Sequence, residues 1–265
     1  MTDTQAVEAE IPFRAVDDIG VRVPYGLIVD PEIETKVRLH AGIMRGAGIV
    51  MAAREIAANP SNALSTILSL LRVLIFGRAQ QTIDEQTATA PRLACKSGCA
   101  WCCYQSVEAT IPEAFLVAAR LLDPADPRRA AVLANAKAFR GLDEQQRRRT
   151  GTPCALLVDN RCSVYDERPL MCRAMMAPAA EGCHAAHAAA LAGKPVPLVE
   201  LYVVAQYFIL GDQSGFRGIL RDMGLQDDLV ELTQAVAAIL EDPTLIERWL
   251  AGERIFGPEF TAPPL

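Results

Sequence analysis

Apolar residues recur every three or four positions along most of the chain, which is the spacing of an amphipathic α-helix. The clearest stripe consists of Leu225, Leu229, Leu232, Val236 and Leu240. A strand-like pattern stands out in one place, residues 154–165, where two short apolar groups flank Asp159-Asn160. The pattern therefore predicts a mainly α-helical protein that contains one short β-hairpin.

Cap and stop residues set the expected helix boundaries. Asp followed by Pro suits a helix N-cap with Pro in the first helical position, and this pair occurs at 30–31, 123–124, 126–127 and 242–243. Glycines mark expected helix ends. The predicted helices cover about 31–58, 63–79, 111–122, 127–149 with a break at Gly141, 183–192, 198–210 up to Gly211, 216–223, 227–240 and 243–251. Residues 1–29 are expected to be irregular, and residues 80–92 to form a polar linker.

The 265 residues are enough for one large domain, or for a core with helical extensions. The cysteines are confined to the middle of the chain. We therefore expect an N-terminal helical region at 1–92, a cysteine-rich module at 93–185, and a C-terminal helical region at 186–265 that packs on the module.

Charge and hydropathy limit the partners. The formal net charge of −6 argues against broad binding to nucleic acid or to anionic membranes. The most apolar stretch, residues 63–76, contains Arg72 and is shorter than the roughly 18 residues that indicate a membrane span. The first ten residues have no basic segment before an apolar run. We expect a cytoplasmic protein without a membrane helix, and no nucleic-acid partner.

The eight cysteines are the main candidates for chemistry. Four form the pattern Cys95-x3-Cys99-x2-Cys102-Cys103, and the others are Cys154, Cys162, Cys172 and Cys183. In a reducing compartment, clustered cysteines serve as metal ligands or redox groups more often than as disulfides. Cysteines can also act as small buried apolar residues, but a simple core face would use Ala, Leu or Val equally well.

One straight helix cannot bring the first four sulfurs to one metal. From Cys95 to Cys103 such a helix would extend about 12 Å, whereas sulfurs bound to one zinc lie about 3.8 Å apart. Either residues 96–98 form a loop that folds Cys95 back, or the ligands are shared with the four later cysteines. Eight thiols are also enough for two sites of four ligands each.

The cysteine pattern resembles that of a known family. Together with Cys154, the segment 162–169 and Cys172-Arg173, it is similar to the YkgJ-type cysteine-cluster family (CxxCxxCC), a zinc- or iron-chelating domain. The resemblance covers about residues 93–185. Where the shorter family pattern has two residues between its first two cysteines, this chain has three. The resemblance implies a metal ion bound through cysteine thiolates, and little further chemistry.

Residues near the cysteines have candidate supporting roles. Arg168 and Arg173 flank Cys172 and could offset thiolate charge or donate to sulfur; the alternative is that they form ion pairs with Asp166, Glu167 or distant carboxylates. Cys183 and His187 are four residues apart on a predicted helix and could share a metal. The alternative for His187 is a solvated helix position, and we expect His40 to be structural or solvated.

Two functions remain open on this basis. The protein could bind zinc or iron without catalysis, or it could be an Fe-S-dependent enzyme that carries out redox or group-transfer chemistry. Cys95-x3-Cys99-x-Trp101-Cys102 matches the [4Fe-4S] motif of radical S-adenosylmethionine enzymes, but the strand–helix alternation of their barrel is missing. Flagellin lysine methylases look similar in their cysteine pattern, yet no methyl-donor site is apparent. Thiolates alone do not distinguish zinc from iron.

The hairpin gives one geometric expectation. With a two-residue loop at Asp159-Asn160, Leu157 lies opposite Cys162. If strand pairing continued to Cys154, that side chain would point to the other face of the hairpin from Cys162, since side chains alternate along a strand. If the two cysteines bind the same metal, the strand must therefore end early, or contain a bulge or a longer loop.

Overall fold

The computed structural model describes residues 13–16, 21–24, 31–58, 60–88 and 93–260. Its secondary structure is mainly helical, as predicted. The helices in these ranges are α1 (Pro31–Ala58), α2 (Ala63–Ser69), α3 (Gly77–Ala88), α4 (Ile111–Ala119), α5 (Pro127–Phe139), α6 (Glu144–Arg149), α7 (Leu170–Ala174), α8 (Ala180–Leu191), α9 (Val203–Asp222), α10 (Leu232–Glu241) and α11 (Leu245–Leu250). The predicted break between α5 and α6 is confirmed, with Gly141 at a φ of 77°.

Short antiparallel strand pairs complete the described fold. The strands are β1 (Phe13–Val16), β2 (Val21–Pro24), β3 (Glu108–Thr110), β4 (Leu157–Val158), β5 (Arg161–Cys162) and β6 (Leu229–Glu231). They pair as β1–β2, β3–β6 and β4–β5. The β4–β5 pair is the predicted hairpin. The expectation of irregular structure was wrong at β1 and β2, and the rest of residues 1–29 lies outside the described part.

The expected helix at 227–240 begins five residues late. Residues 229–231 form β6, which pairs with β3 so that Thr110 lies opposite Leu229 and Glu108 opposite Glu231. The Leu232 N–H extends this pairing by donating to Val107 O at 2.9 Å. The apolar spacing of Leu225, Leu232 and Val236 is helical in sequence, but a strand partner more than a hundred residues away competes for the first turn.

The prediction of a polar linker at 80–92 was also wrong for residues 80–88, which are helical. A π-helical segment, Leu70–Phe76, joins α2 to α3 without a break at Gly77. Polar side chains support this extension: Gln80 donates to Asp84 and Gln81 to Glu85, each four residues apart. Residues 89–92 are outside the described part.

The two helices expected at 198–210 and 216–223 are one helix, α9, so the predicted end at Gly211 was wrong. A glycine inside a helix costs about 1 kcal/mol, which close packing against α1 can outweigh. A Cβ added to Gly48 of α1 would lie 2.2 Å from Ile219 Cδ1, and one added to Gly218 would lie 2.8 Å from Arg45 Cδ. The glycines let the two helices approach closely.

Residues from α1 to the C-terminal segment share one apolar core, which includes Leu71, Phe115, Leu170, Phe216 and Trp249. The Phe115 and Trp249 rings meet edge to face at 5.3 Å. Burial of such large side chains is the main term that stabilises the fold. Because α4 and α7 both contribute to this core, the helix that carries Cys172 is anchored in it.

The extended helical path has one further consequence. The stretch Ala63–Glu85, 23 residues long, contains an 18-residue window with the hydropathy of a membrane span, and a third of that window is buried inside the protein. Core helices meet the same criteria, and Leu71 and Ile75 on this stretch are fully buried in the core. The expectation of no membrane helix was based on an apolar stretch that ends at Phe76, and it did not include the continuation through α3. The absence of a membrane helix stays a prediction.

Candidate metal centre

The eight cysteines come from separate segments that meet beside α7. Cys95 and Cys99 lie in the loop before a 3₁₀ turn, Trp101–Tyr104, which carries Cys102 and Cys103. Cys154 precedes β4, Cys162 ends β5, Cys172 lies in α7 and Cys183 in α8. All eight are half-buried and none forms a disulfide.

Residues 96–98 form a turn instead of continuing a helix. The Cys99 N–H donates to Lys96 O at 2.9 Å, and Gly98 has a φ of 97°, a conformation that favours glycine. This confirms that the segment is no straight helix and that Cys95 is folded back. Cys95 is then fixed against a distant segment, because Ala94 N–H donates to Ala177 O at 3.1 Å and Ala177 N–H donates to Cys95 Sγ at 3.2 Å.

The hairpin has the geometry that a shared cysteine face requires. Leu157 lies opposite Cys162, and Asp159 and Asn160 have φ values of 49° and 59°, as in a type I′ turn. Pairing does not extend to Cys154, whose N–H donates to Cys103 O at 2.7 Å and whose carbonyl accepts from Leu157 N–H at 3.0 Å. The strand ends early, which is one of the three geometries that would let Cys154 and Cys162 share a metal, and the shared metal stays a prediction.

Electrostatic contacts divide the thiols into two groups. Cys95, Cys99 and Cys183 interact with one another, and we call them the first thiol group. The second thiol group is Cys103, Cys154, Cys162 and Cys172. Cys102 interacts with members of both groups and lies between them.

The surroundings of the sulfurs set their proton affinity. Burial raises the pKa of Cys95 and of Cys154 to about 11, and raises that of Cys172 well above its ordinary value. A hydrogen bond from the Cys103 thiol lowers the pKa of Cys102 and raises that of Cys103. A metal ion that binds Cys95, Cys154 or Cys172 must therefore displace a tightly held proton.

Backbone N–H groups are directed at several of the sulfurs. Besides the bond from Ala177 to Cys95, a backbone hydrogen bond from Leu156 lowers the pKa of Cys154 against the larger effect of burial, and one from Val164 acts in the same way on Cys162. Such bonds stabilise thiolates and are one of the means by which proteins tune metal–sulfur centres.

The thiols are near one another but do not form a finished ligand set. Among the residues that the structure describes, no group of three or more Cys, His, Asp or Glu side chains is arranged to hold a metal ion. The donor chemistry fits zinc, iron or an iron–sulfur cluster, whereas the sulfur positions would have to converge further.

The two arginines beside Cys172 have different surroundings. Arg173 is buried, donates to the carbonyls of Arg168 and Asp166, and lies over the Phe76 ring at 4.4 Å. Burial lowers the pKa of Arg173 to about 10, which is still high enough to keep it charged at neutral pH. Arg168 lies over the Tyr165 ring, and its charge lowers the pKa of Cys102 and of Cys162, after larger effects of hydrogen bonding and burial. Thiolate support by Arg168 and Arg173 stays a prediction.

The histidines pack on the 3₁₀ turn. The ring centroids of His184 and Trp101 are 4.6 Å apart, and those of His187 and Tyr104 are 4.2 Å apart. Burial, followed by repulsion from His184, lowers the pKa of His187. The rings hold α8, and with it Cys183, against the cysteine loop. The side chain of His40 lies outside the described part.

Sequence reasoning missed Glu113, which is fully buried. Its carboxylate accepts from Thr110 N–H at 2.6 Å and from Leu170 N–H at 2.6 Å. The Thr110-x-x-Glu113 spacing of a capping box is the sequence signal that could have indicated the first contact. The second could not be predicted, because it joins positions 57 residues apart.

Comparison with known proteins identifies the cysteine segment. Residues 94–188 match the family model CxxCxxCC, described as "Putative zinc- or iron-chelating domain". The matched segment contains all eight cysteines, so the resemblance noted from their spacing is confirmed for this part of the chain, and the match supports metal binding in general. No curated protein and no solved structure matches the chain.

Proposed function

We propose that residues 94–188 bind zinc or iron through cysteine thiolates, and that the two thiol groups form two neighbouring sites linked by Cys102. The observation that carries this proposal is the meeting of eight unpaired thiols from five separate segments at one place. Burial and mutual repulsion oppose thiolate formation at these sulfurs, so a bound metal cation would supply the charge that stabilises them as thiolates.

The backbone supports the same proposal. Amide hydrogen bonds reach sulfur in the first thiol group at Cys95 and in the second at Cys154 and Cys162. A core made only of small apolar side chains has no need for such donors. These bonds stabilise a negatively charged sulfur, which is the form that binds a metal. A reducing compartment such as the cytoplasm would keep the thiols available.

In this role the bound metal would supply a positive charge that replaces the thiol protons, as in structural zinc sites. Arg168, whose charge already acts on Cys102 and Cys162, would offset the excess negative charge of a thiolate-rich site. Glu113 would hold α7, and therefore Cys172, in place.

An iron–sulfur cluster is the second candidate. The two thiol groups, with Cys102 between them, provide enough sulfur ligands for one iron–sulfur cluster held by four thiolates. This observation is the reason for proposing a cluster as the alternative. An Fe-S-dependent redox or group-transfer enzyme would follow only from that form of the site. The strands in the described ranges pair antiparallel in twos, which supports no radical-S-adenosylmethionine barrel.

The deciding experiment is purification without oxygen, followed by elemental analysis, an absorption spectrum and an assay for acid-labile sulfide. Zinc without visible absorbance would support closed thiolate sites, and iron with labile sulfide and brown colour would support a cluster. Metal-free protein with all eight thiols reduced and undiminished stability would refute metal binding.

A control separates ligand loss from a packing defect. Cys172→Ser should reduce the metal content, whereas Ala174→Ser should leave it unchanged. Ala174 is fully buried in the same helix, so its variant places a hydroxyl in α7 without removing a sulfur. Equal metal loss in both variants would mean that Cys172 acts through packing.

A further inference from the structure

A cavity of about 770 Å³ opens beside the thiol groups, between the π-helical segment, the end of α4, the turn at 165–168 and α7. Four of its lining side chains are arginines: Arg72, Arg120, Arg168 and Arg173. Asp166 and Glu167 are its acidic residues. The wall therefore has an excess of positive charge, although the protein as a whole has a net charge of −6.

Two of these arginines share one carboxylate. Arg72 Nη2 lies 2.6 Å from Glu167 Oε1, and Arg120 Nε lies 2.5 Å from Glu167 Oε2. The Glu167 side chain is 8% exposed, whereas those of Arg72 and Arg120 are 46% and 58% exposed. A guanidinium has five N–H donors, and the bonds to Glu167 use only Nε and Nη2 of each arginine. The Nη1 donors of both cavity-lining arginines are therefore not used by Glu167.

The guanidinium groups of the other two arginines lie over aromatic rings. The Arg168 guanidinium lies 3.8 Å from the centre of the Tyr165 ring, and that of Arg173 lies 4.4 Å from the centre of the Phe76 ring. Cation–π contacts hold the guanidinium groups in place before a ligand arrives, which lowers the ordering cost of binding. Phe76, Tyr165 and Ala119 give the same cavity an apolar wall.

We propose that this cavity binds a small organic molecule that carries a phosphate or carboxylate group. Arginine forks match the geometry of both oxyanions. The volume lies in the range of small-molecule pockets and is larger than a single inorganic ion needs. The apolar wall takes the organic part of the ligand. The proposal does not depend on a bound metal.

The test is calorimetric titration of the full chain with phenyl phosphate and with succinate, at constant ionic strength. Saturable binding of one of them is expected, and which one binds identifies the anion. Arg120→Gln and Arg168→Gln should each weaken this binding about tenfold, the scale of one charge-assisted hydrogen-bond pair. Arg254→Gln is the matched control, because Arg254 pairs with Asp228 outside the cavity lining and is 71% exposed.

Glu167→Gln should change the affinity for the anion in the opposite direction from the arginine variants. Removing the carboxylate that both Arg72 and Arg120 contact should tighten anion binding, because repulsion is lost and donors are released. Circular dichroism and the melting temperature without ligand would show that each variant is folded. If Glu167→Gln does not fold, Arg168→Gln still decides the question.

Three results would overturn the proposal: no saturable binding of either anion, equal weakening in Arg254→Gln, or loss of binding on metal removal with no effect of Arg120→Gln. The third result would mean that the anion binds to the metal and not to the arginines. Measuring metal content in the same samples keeps this proposal separate from the thiolate sites, since protein without metal that still binds an anion would contradict only the proposed function.

Discussion

Glu113 Oε1 accepts the backbone N–H of Leu170 at 2.6 Å, so a carboxylate at the start of α4 caps the first turn of α7. The other oxygen of Glu113 accepts the Thr110 N–H and caps α4 itself. A helix as short as α7, five residues, is not stable alone. The position of Cys172 therefore depends on a distant residue in the preceding part of the sequence.

Replacing Glu113 by Gln should lower the free energy of unfolding by about 2–3 kcal/mol, because an amide cannot accept all of the bonds made by the buried carboxylate. Urea unfolding followed by circular dichroism measures this loss. The metal content should fall with it, since α7 carries Cys172. Asp143→Ala is the control: it removes the cap of α6, at a cost of about 1 kcal/mol, and should leave the metal content unchanged. Equal metal loss in both variants would contradict the link from Glu113 to Cys172.

Single Cys→Ser variants should separate the two thiol groups. Cys183→Ser should reduce metal in the first group only, Cys172→Ser in the second only, and Cys102→Ser in both, because Cys102 lies between them. Metal atoms per chain, measured after anaerobic purification, report the difference. Each loss should also lower the melting temperature, by about 4–8 °C if about 2 kcal/mol of stability is lost. The same metal loss in all three variants would indicate one shared site instead.

Two glycines on α1 should have opposite effects on stability when each is replaced by alanine. Gly48→Ala should destabilise the protein by about 1–2 kcal/mol, because the new methyl group would meet fully buried Ile219 at 2.2 Å. Gly46→Ala has open space around it and should stabilise by about 0.5–1 kcal/mol through helix propensity. Thermal unfolding of the two variants measures both effects, and two changes of the same sign would disagree with the packing of α1 on α9.

The stability that comes from the ion pairs of Glu167 with Arg72 and Arg120 should depend on pH. Burial opposes ionisation of Glu167, but hydrogen bonds from Arg120 and Arg72 outweigh it and lower the pKa of Glu167 below its ordinary value. A lowered carboxyl pKa stabilises the fold above the unfolded value of about 4.3. That stabilisation is lost as the pH falls through the folded value.

Urea unfolding of the native protein and of Glu167→Gln, from pH 7 to pH 3, tests this sign. The difference between them should be constant near neutral pH, about 1 kcal/mol because both arginines are half exposed, and should shrink below about pH 4.3. A difference that grows on acidification would mean that burial dominates the pKa of Glu167.

Local signals in the sequence predicted much of the fold. The bounds of α1, the Asp126 cap of α5 and the two-residue turn at Asp159-Asn160 all follow from residues close in sequence. The errors arose where a distant partner decided the structure. Pairing with β3 made 229–231 a strand, and packing on α1 carried α9 through Gly211.

The candidate site divides in the same way. The cysteine spacing identified the ligand candidates, and the limit on one straight helix gave a loop at 96–98 as one of two alternatives. Membership of the two thiol groups could not be predicted, because Cys172 and Cys183 are placed by Glu113 and by ring contacts with Trp101 and Tyr104. The arginine cavity joins four segments and left no pattern in any of them.

The hydrogen bond from Cys154 N–H to Cys103 O has a consequence for how the protein folds. It closes a chain segment of about fifty residues that contains α4, α5 and α6. Contacts of such long sequence separation form slowly, because chain entropy must be lost before they contribute. We therefore expect the helices between the two cysteines to form first and the second thiol group to be completed late in folding.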